Sequence, residues 1–351
     1  MPSITKPLVP LLDLPRNSIG LTLRDYEGSM STLCAGCGHD SITAALVQAL
    51  WELEVQPHMI AKLSGIGCSS KTTAYFAGTA HGFNSVHGRM AAIATGAAAA
   101  NRDLLYVGVS GDGDSLSIGL GHLMHAMRRN VRMLYIIENN GVYGLTKGQF
   151  SASADVGSTL KHGKANIFSP IDPVAVGLSM GATFLARSFS GDKHQLIPIL
   201  KAAARHRGFA LVDVISPCVT FNDHEGSTKS YHYTREHEVQ ATDSDFIPLR
   251  DEVVAEIPAN GVRAVTMHDG SELRFRSVPD GYDPTDRASV MHYLEQRHDA
   301  GEVVTGVLFV DESAPDLHDL NQSSETALVH VPQTALCPGS SVLDSIQQSW
   351  R

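Results

Sequence analysis

No stretch of this chain is apolar for long enough to span a membrane. The N-terminal segment MPSITKPLVPLLDLPRN has too many prolines and too short an apolar run for a secretory signal. A cytoplasmic location is the expectation. Basic residues are outnumbered, 27 Lys and Arg against 37 Asp and Glu for a formal net charge of −10. That balance argues against nucleic acid or an anionic membrane as the general partner. Cysteine is sparse, at five in 351 residues. Such cysteines in a cytoplasmic chain suit ligands or reduced core residues better than a disulfide framework. Internal repeats and low-complexity tracts are absent too. What is left is a globular chain with room for one large α/β domain and a smaller appendage.

The most informative stretch begins with an apolar, β-branched run at 104–109, a buried strand by length and composition, ending at Gly111-Asp112-Gly113. Two glycines allow a sharp turn and close approach of a ligand, and they leave the Asp112 carboxylate free at the strand's carboxyl end. A helical period follows in Leu116, Leu120, Leu123, Met124 and Met127, then a second apolar strand at 133–137 that ends in Asn139-Asn140-Gly141. A parallel crossover of this kind brings Asp112 and Asn140 to one edge of the sheet. There a carboxylate, an amide oxygen and backbone carbonyls offer the hard oxygen ligands that Mg²⁺ accepts, with phosphate oxygens to fill its remaining positions.

In chain order, residues 1–30 read as an irregular, proline-rich arm laid over a surface. At Cys34-Ala35-Gly36-Cys37-Gly38-His39 the chain tightens, and Asp40 or Ser41 is expected to cap a helix with Ile42, Leu46, Ala49, Leu50 and Leu53 on one face. A strand at 59–63 leads into a small-residue turn carrying Cys68 and Lys71, followed by an expected helix at 72–80. His87-Gly88-Arg89 then opens an alanine-rich helix at 90–100, where a cationic entrance suits a phosphate. After a loop at 150–169, helix 173–180, strand 184–187, helix 194–207 and strand 210–215 continue the alternation up to Ser216-Pro217-Cys218. Residues 31–220 thus form a doubly wound, mostly parallel α/β domain. Residues 221–351 read as a covering extension: a loop at 221–237, a hairpin about Asp269-Gly270, a helix at 289–297 and a strand at 303–310.

Cys34 and Cys37 form a close pair, while Cys68 and Cys218 stand alone after sheet strands on the edge that carries the Mg²⁺ site. Four thiolates converging there suit a [4Fe-4S] cluster, whose ligands need not be close in sequence. Structural zinc is the rival, although its sites usually come as two close pairs, and burial of Cys68 and Cys218 as apolar residues is the plain alternative. Cys337, beside Pro338, reads as an ordinary thiol.

Taken together, CAGCGH at 34–39, GIGCSSK at 65–71, HGR at 87–89, GDGD at 111–114 and NNGVYGLTKGQ at 139–149 resemble the β subunit of 2-oxoacid:ferredoxin oxidoreductases, most of all the 2-oxoglutarate enzymes. The resemblance runs from about Cys34 to Cys218. It implies the pyrophosphate-binding type of thiamine diphosphate fold, with one thiamine diphosphate, one Mg²⁺ and one [4Fe-4S] cluster. Asp112, the Asn140 side chain and the Val142 carbonyl would hold Mg²⁺, and Cys34, Cys37, Cys68 and Cys218 the cluster. Ile66, Gly67, Ser69, His87, Gly111, Gly113, Asp114, Tyr143, Gly144 and Thr146 would border the cofactor, and Lys71, Lys147 and Leu145 the reacting groups. The implied activity is oxidative decarboxylation of 2-oxoglutarate with coenzyme A to succinyl-CoA and CO₂, with electrons passing to ferredoxin, or the reverse carboxylation. The implied partner is an α subunit, or fused α and γ parts, which would supply the activating glutamate in a heterodimer. Pyruvate or a broad 2-oxoacid range, a non-redox thiamine diphosphate decarboxylase or carboligase with a structural Cys₄ site, and a regulatory module that binds cofactor without turnover are the competing readings.

Overall fold

Val107 and Val109 turn to one side of their strand and Tyr106 to the other, and all three are buried. A strand apolar on both faces has to lie between two layers, and the chain builds them. The computed structural model describes residues 4–7, 14–159, 165–249, 263–277, 279, 281–337 and 339–351. Its strands are β1 (Ile60–Ser64), β2 (His81–Asn84), β3 (Leu105–Gly111), β4 (Met133–Asn139), β5 (Val142–Tyr143), β6 (Gln149–Phe150), β7 (Phe184–Phe189), β8 (Phe209–Ile215), β9 (Glu238–Gln240), β10 (Asp243–Ile247), β11 (Arg263–Thr266), β12 (Glu272–Ser277) and β13 (Val303–Val310). The principal helices are α1 (Gly38–Glu52), α2 (Met90–Ala100), α3 (Leu120–Arg128), α4 (Pro173–Met180), α5 (Lys193–Arg205), α6 (Tyr231–His237) and α7 (Arg287–Asp299).

Among the described residues eight strands form the main sheet, in the order β2-β1-β3-β4-β8-β7-β13-β9. The pairs from β2 through β7 are all parallel, so the carboxyl ends of β1, β3, β4 and β8 share one edge. One face packs on α1 and α5 and on the small antiparallel sheet β10-β12-β11, through Leu46, Leu50, Leu196, Ile199, Leu273 and Phe275. The other packs on α2, α3, α4 and α7, through Ala94, Leu123, Met127, Val174, Leu178 and Val290. No helix among the described residues is long and apolar enough to cross a membrane.

Several segments differ from the sequence expectation. Helix α1 already starts at Gly38, after Cys37, so neither Asp40 nor Ser41 caps it. The helix expected at 72–80 is a short 3-10 turn, Ser69–Ala74, followed by edge strand β2, whose four residues are all exposed and show no apolar alternation to betray it. The helix expected from Leu116 starts only at Leu120, because a π-helical turn, Gly113–Ile118, carries the chain away from β3. The loop at 221–237 contains α6, capped by the Ser230 hydroxyl, which accepts from the Tyr233 N–H. The segment after residue 220 does more than cover, since β13 enters the main sheet antiparallel to β7 and carries β9 beside it. Its apolar run, Val303–Val310, needs a two-sided burial that only the sheet interior offers.

Candidate active site

The Asp112 side chain is 1% exposed at the carboxyl end of β3 and forms no ion pair among the described residues. Its Oδ2 accepts from the Ser151 hydroxyl and, at 2.6 Å, from the Ser153 hydroxyl. Burial raises the carboxyl above the usual carboxylate range, and these two hydroxyls act against that rise. A buried carboxylate is costly unless a cation pairs with it, and a divalent ion would do so here. Asn140 lies opposite, its carbonyl held by the Asn222 amide at 2.8 Å, and Val142 follows at the start of the β5-β6 hairpin. The donor set, a carboxylate, an amide oxygen and a backbone carbonyl, is the hard oxygen set that Mg²⁺ takes.

Asp114, two residues on, ties the neighbouring loops together. Its oxygens accept from the Ile66 N–H at 3.2 Å, the Gly88 N–H at 2.7 Å, the Ser110 hydroxyl at 2.6 Å and the His87 ring. Gly65 is required there, since a Cβ would lie 1.8 Å from an Asp114 oxygen. Gly113 is required as well, because the Tyr143 ring packs where its Cβ would be, and the Tyr143 hydroxyl donates to the Gly113 carbonyl at 3.0 Å. One cleft results. It is bordered by every residue expected around the cofactor (Ile66, Gly67, Ser69, His87, Gly111, Gly113, Asp114, Tyr143, Gly144 and Thr146), together with Asp112, Asn140, Val142, Leu145 and Cys68.

Cys68 connects this cleft to the other cysteines. A Cβ on Gly144 would lie 3.5 Å from the Cys68 sulfur and 3.6 Å from that of Cys218, so both thiols face the space that this glycine leaves open. The Cys34 sulfur is 3.6 Å from the Thr220 hydroxyl, two residues past Cys218. Burial pushes the Cys37 thiol up to about 12, and repulsion from Glu138 and from Cys218 adds to the rise. Burial and the nearby Cys34 and Cys218 sulfurs raise Cys68 in the same way. Thiols in this state become thiolates only around a strongly cationic centre. Among the described residues no three His, Cys, Asp or Glu side chains close on one point tightly enough for a single metal ion.

Neither candidate lysine borders the cleft. The Lys71 N–H donates to the Cys68 carbonyl at 3.1 Å, on the cysteine side. Lys147 is exposed in the loop that leaves the cleft, at a left-handed φ of 82°, and lines a neighbouring cavity with Gln149, Phe221 and His224. Sequence reasoning also missed two residues that do border it, Glu138 and His39. Both Glu138 oxygens accept from the Thr72 hydroxyl, at 3.0 and 3.2 Å, and burial raises this carboxyl well above its usual range. His39, lowered to about 4 by burial, bonds Ser216 at 2.6 Å and lies 3.5 Å from Glu138. The one available signal was an acid closing an otherwise apolar strand, directly before the Asn pair.

Residues 65–214 match the family described as thiamine pyrophosphate enzyme, C-terminal TPP binding domain. The chain is 42% identical over 225 residues to the 2-oxoglutarate oxidoreductase subunit KorB of Mycobacterium tuberculosis, covering 63% of this chain and 58% of that protein. It is 44% identical over 203 residues to the 2-oxoacid:ferredoxin oxidoreductase subunit beta of Saccharolobus solfataricus, covering 58% and 66%. These matches span less than two thirds of either relative's length. A Sulfolobus β subunit of the same description is 41% identical over 222 residues, 63% of this chain and 70% of that protein. Among solved structures, the 2-oxoglutarate:ferredoxin oxidoreductase from Magnetococcus marinus with 2-oxoglutarate, coenzyme A and succinyl-CoA bound superposes with a TM-score of 0.69 at 30% identity, over 86% of this chain and 89% of that one. With its sheet edge, its cleft and these relatives in agreement, the chain belongs to the β subunits of the 2-oxoacid:ferredoxin oxidoreductases, an oxidoreductase family.

Proposed function

We propose that this chain is the β subunit of a 2-oxoglutarate:ferredoxin oxidoreductase, which converts 2-oxoglutarate and coenzyme A to succinyl-CoA and CO₂ and passes the electrons to ferredoxin. The observation that carries this reading is the continuity of one cleft from the buried Asp112, which has no ion-pair partner among the described residues, to Cys68 and, across Gly144, to Cys218. When bound, thiamine diphosphate supplies the electron sink for decarboxylation, and a [4Fe-4S] cluster supplies a one-electron acceptor beside it. Asp112, the Asn140 amide oxygen and the Val142 carbonyl would hold Mg²⁺. Cys34, Cys37, Cys68 and Cys218 would hold the cluster. His87 and the backbone of Ile66–Gly67 and Gly111–Gly113 would border the diphosphate, and Tyr143, Gly144, Leu145 and Thr146 the cofactor ring. A structural Cys₄ zinc site in a non-redox thiamine enzyme is the rival reading of the same four cysteines.

The choice of 2-oxoglutarate is supported by the names of the Mycobacterium relative and of the Magnetococcus enzyme. Relatives of similar identity carry the broader 2-oxoacid name, so pyruvate or a wider range is the second reading. Lys147 and Lys71, neither of which has an ion-pair partner among the described residues, are the cations proposed to meet a substrate carboxylate. A charge-assisted contact of that kind contributes about 1.5–3 kcal/mol. The test is to add 2-oxoglutarate, coenzyme A and a low-potential dye to the purified complex of this chain with its partner. Succinyl-CoA and reduced dye in matching amounts are expected. Succinic semialdehyde without dye reduction would overturn the redox reading, and equal turnover of pyruvate would overturn the substrate reading.

A further inference from the structure

Asp112 stands at one end of a buried line of hydrogen bonds that crosses three strand ends. Its neighbour Ser153, 2.6 Å from Asp112 Oδ2, is also 2.9 Å from Asn139 Oδ1. The Asn139 amide nitrogen donates to Asp213 Oδ1 at 3.0 Å, Asp213 Oδ2 accepts from Arg187 Nε at 2.7 Å, and Arg187 Nη2 donates to Asp172 at 2.6 Å. Asp112, Ser153, Asn139 and Asp213 are each at most 2% exposed, and Ser153, Asn139, Asp213, Arg187 and Asp172 also border a neighbouring cavity.

The chemistry of the groups fixes the direction of the line. Arg187 only donates, so Asp213 Oδ2 is the acceptor of that bond. Asp213 then requires the NH₂ of Asn139, which leaves the Asn139 oxygen, an acceptor, facing Ser153. The Ser153 hydroxyl has one proton and three acceptors within reach, the Asp112 carboxylate at 2.6 Å, the Asn139 oxygen at 2.9 Å and, farther off, the Ser151 hydroxyl at 3.2 Å. When a cation engages Asp112, that proton can turn to Asn139 and withdraw from the carboxylate without leaving a polar group unpaired. We propose that Arg187, Asp213 and Asn139 are positioning residues for Asp112, which act through Ser153 to raise the affinity of the site for Mg²⁺ and diphosphate. This rests on the reading of Asp112 as a Mg²⁺ ligand.

The test is a double-mutant cycle on the holo complex stripped of cofactor, read as thiamine diphosphate binding against Mg²⁺ concentration by calorimetry. Asn139→Ala removes the alternative acceptor and adds no buried charge, and Arg187→Met frees its orientation. Each should raise the Mg²⁺ concentration for half-binding about tenfold, the worth of one charge-assisted hydrogen bond. Arg187→Lys should restore most of that loss. In a Ser153→Ala background neither change should have any further effect, because the line is already cut. Melting of each variant without Mg²⁺ or cofactor shows whether the fold itself has changed. An equal loss with and without Ser153, or no loss in Asn139→Ala, would overturn the relay. Binding by the unsubstituted protein that ignores Mg²⁺ altogether would overturn the ligand reading and the relay with it.

Discussion

Gly144 tests the candidate site at the scale of one atom. An added Cβ would touch the sulfurs of Cys68 and Cys218 at ordinary contact distance, and the backbone there is not left-handed, so Gly144→Ala should fold and melt like the native chain. It should nevertheless lose iron, because the methyl occupies the space between two proposed cluster ligands. Replacing Cys34, Cys37, Cys68 or Cys218 by Ser should also abolish the roughly four iron and four sulfide per chain expected of one cubane. Cys337→Ser should keep them, since Cys337 lies exposed in the C-terminal segment, next to a short helix, Gln333–Leu336. Iron and acid-labile sulfide assays on anaerobically prepared protein decide it, and full iron in Gly144→Ala would remove the cluster from that space. That Cys68, Asp112 and Asn140 meet at one cleft was legible in sequence because glycine and strand ends mark them out. Glu138 was not, since a single acid among Tyr135, Ile136 and Ile137 carries no pattern, and only burial beside Thr72 and His39 makes it part of the cleft.

At the scale of elements, periodicity located what is buried and failed where burial stops. Helices α2 and α4 and strand β13 fall where their apolar spacing puts them. Strand β2 has four exposed residues, so nothing in its composition separates it from a loop. Which strand neighbours which was also out of reach, because β13 joins β7 through a register fixed by packing that local sequence does not encode. The join is secured at the sheet end remote from the cleft by Glu312, just past β13. Its carboxylate pairs with His206 at the end of α5 and accepts from the His268 N–H in the β11-β12 turn at 3.1 Å. Burial would raise this carboxyl, but the hydrogen bonds from His206 and His268 outweigh it and bring it down to about 2. A carboxyl lowered on folding adds stability above the ordinary carboxylate range, and that stability is lost as pH falls from there towards 2. Glu312→Gln should therefore destabilise the protein near neutral pH and flatten the acid limb of its stability curve. Urea unfolding at a series of pH values measures this, and parallel curves for the two proteins would show that Glu312 does not contribute through its charge.

For the whole molecule, the mouth of the cleft is apolar where a finished active site would be closed. Ile66, Val86, Ile118 and Leu145 are 38%, 73%, 44% and 43% exposed. Ile66 and Leu145 line the cleft, Val86 precedes His87, and Ile118 packs over Gly88, so the four belong to one rim. A clustered apolar rim around a polar floor is what a partner surface covers, whereas scattered exposed apolar residues need no such explanation. The chain's own glutamate in the cleft, Glu138, is held by Thr72 on the cysteine side, and under the proposed function the activating acid comes from the partner. Two results follow from that incompleteness. The isolated chain should bind iron yet show no 2-oxoacid-dependent dye reduction until the partner subunit is added. Val86→Asp, a change at the most exposed point of the rim, should keep iron content and melting temperature while weakening assembly with the partner at least about tenfold, as expected for a charge placed in a desolvated interface. Analytical ultracentrifugation of the mixed subunits measures the second effect. Assembly unaffected by Val86→Asp would move the partner's surface away from the cleft mouth, and the cleft would then need another means of excluding water during decarboxylation.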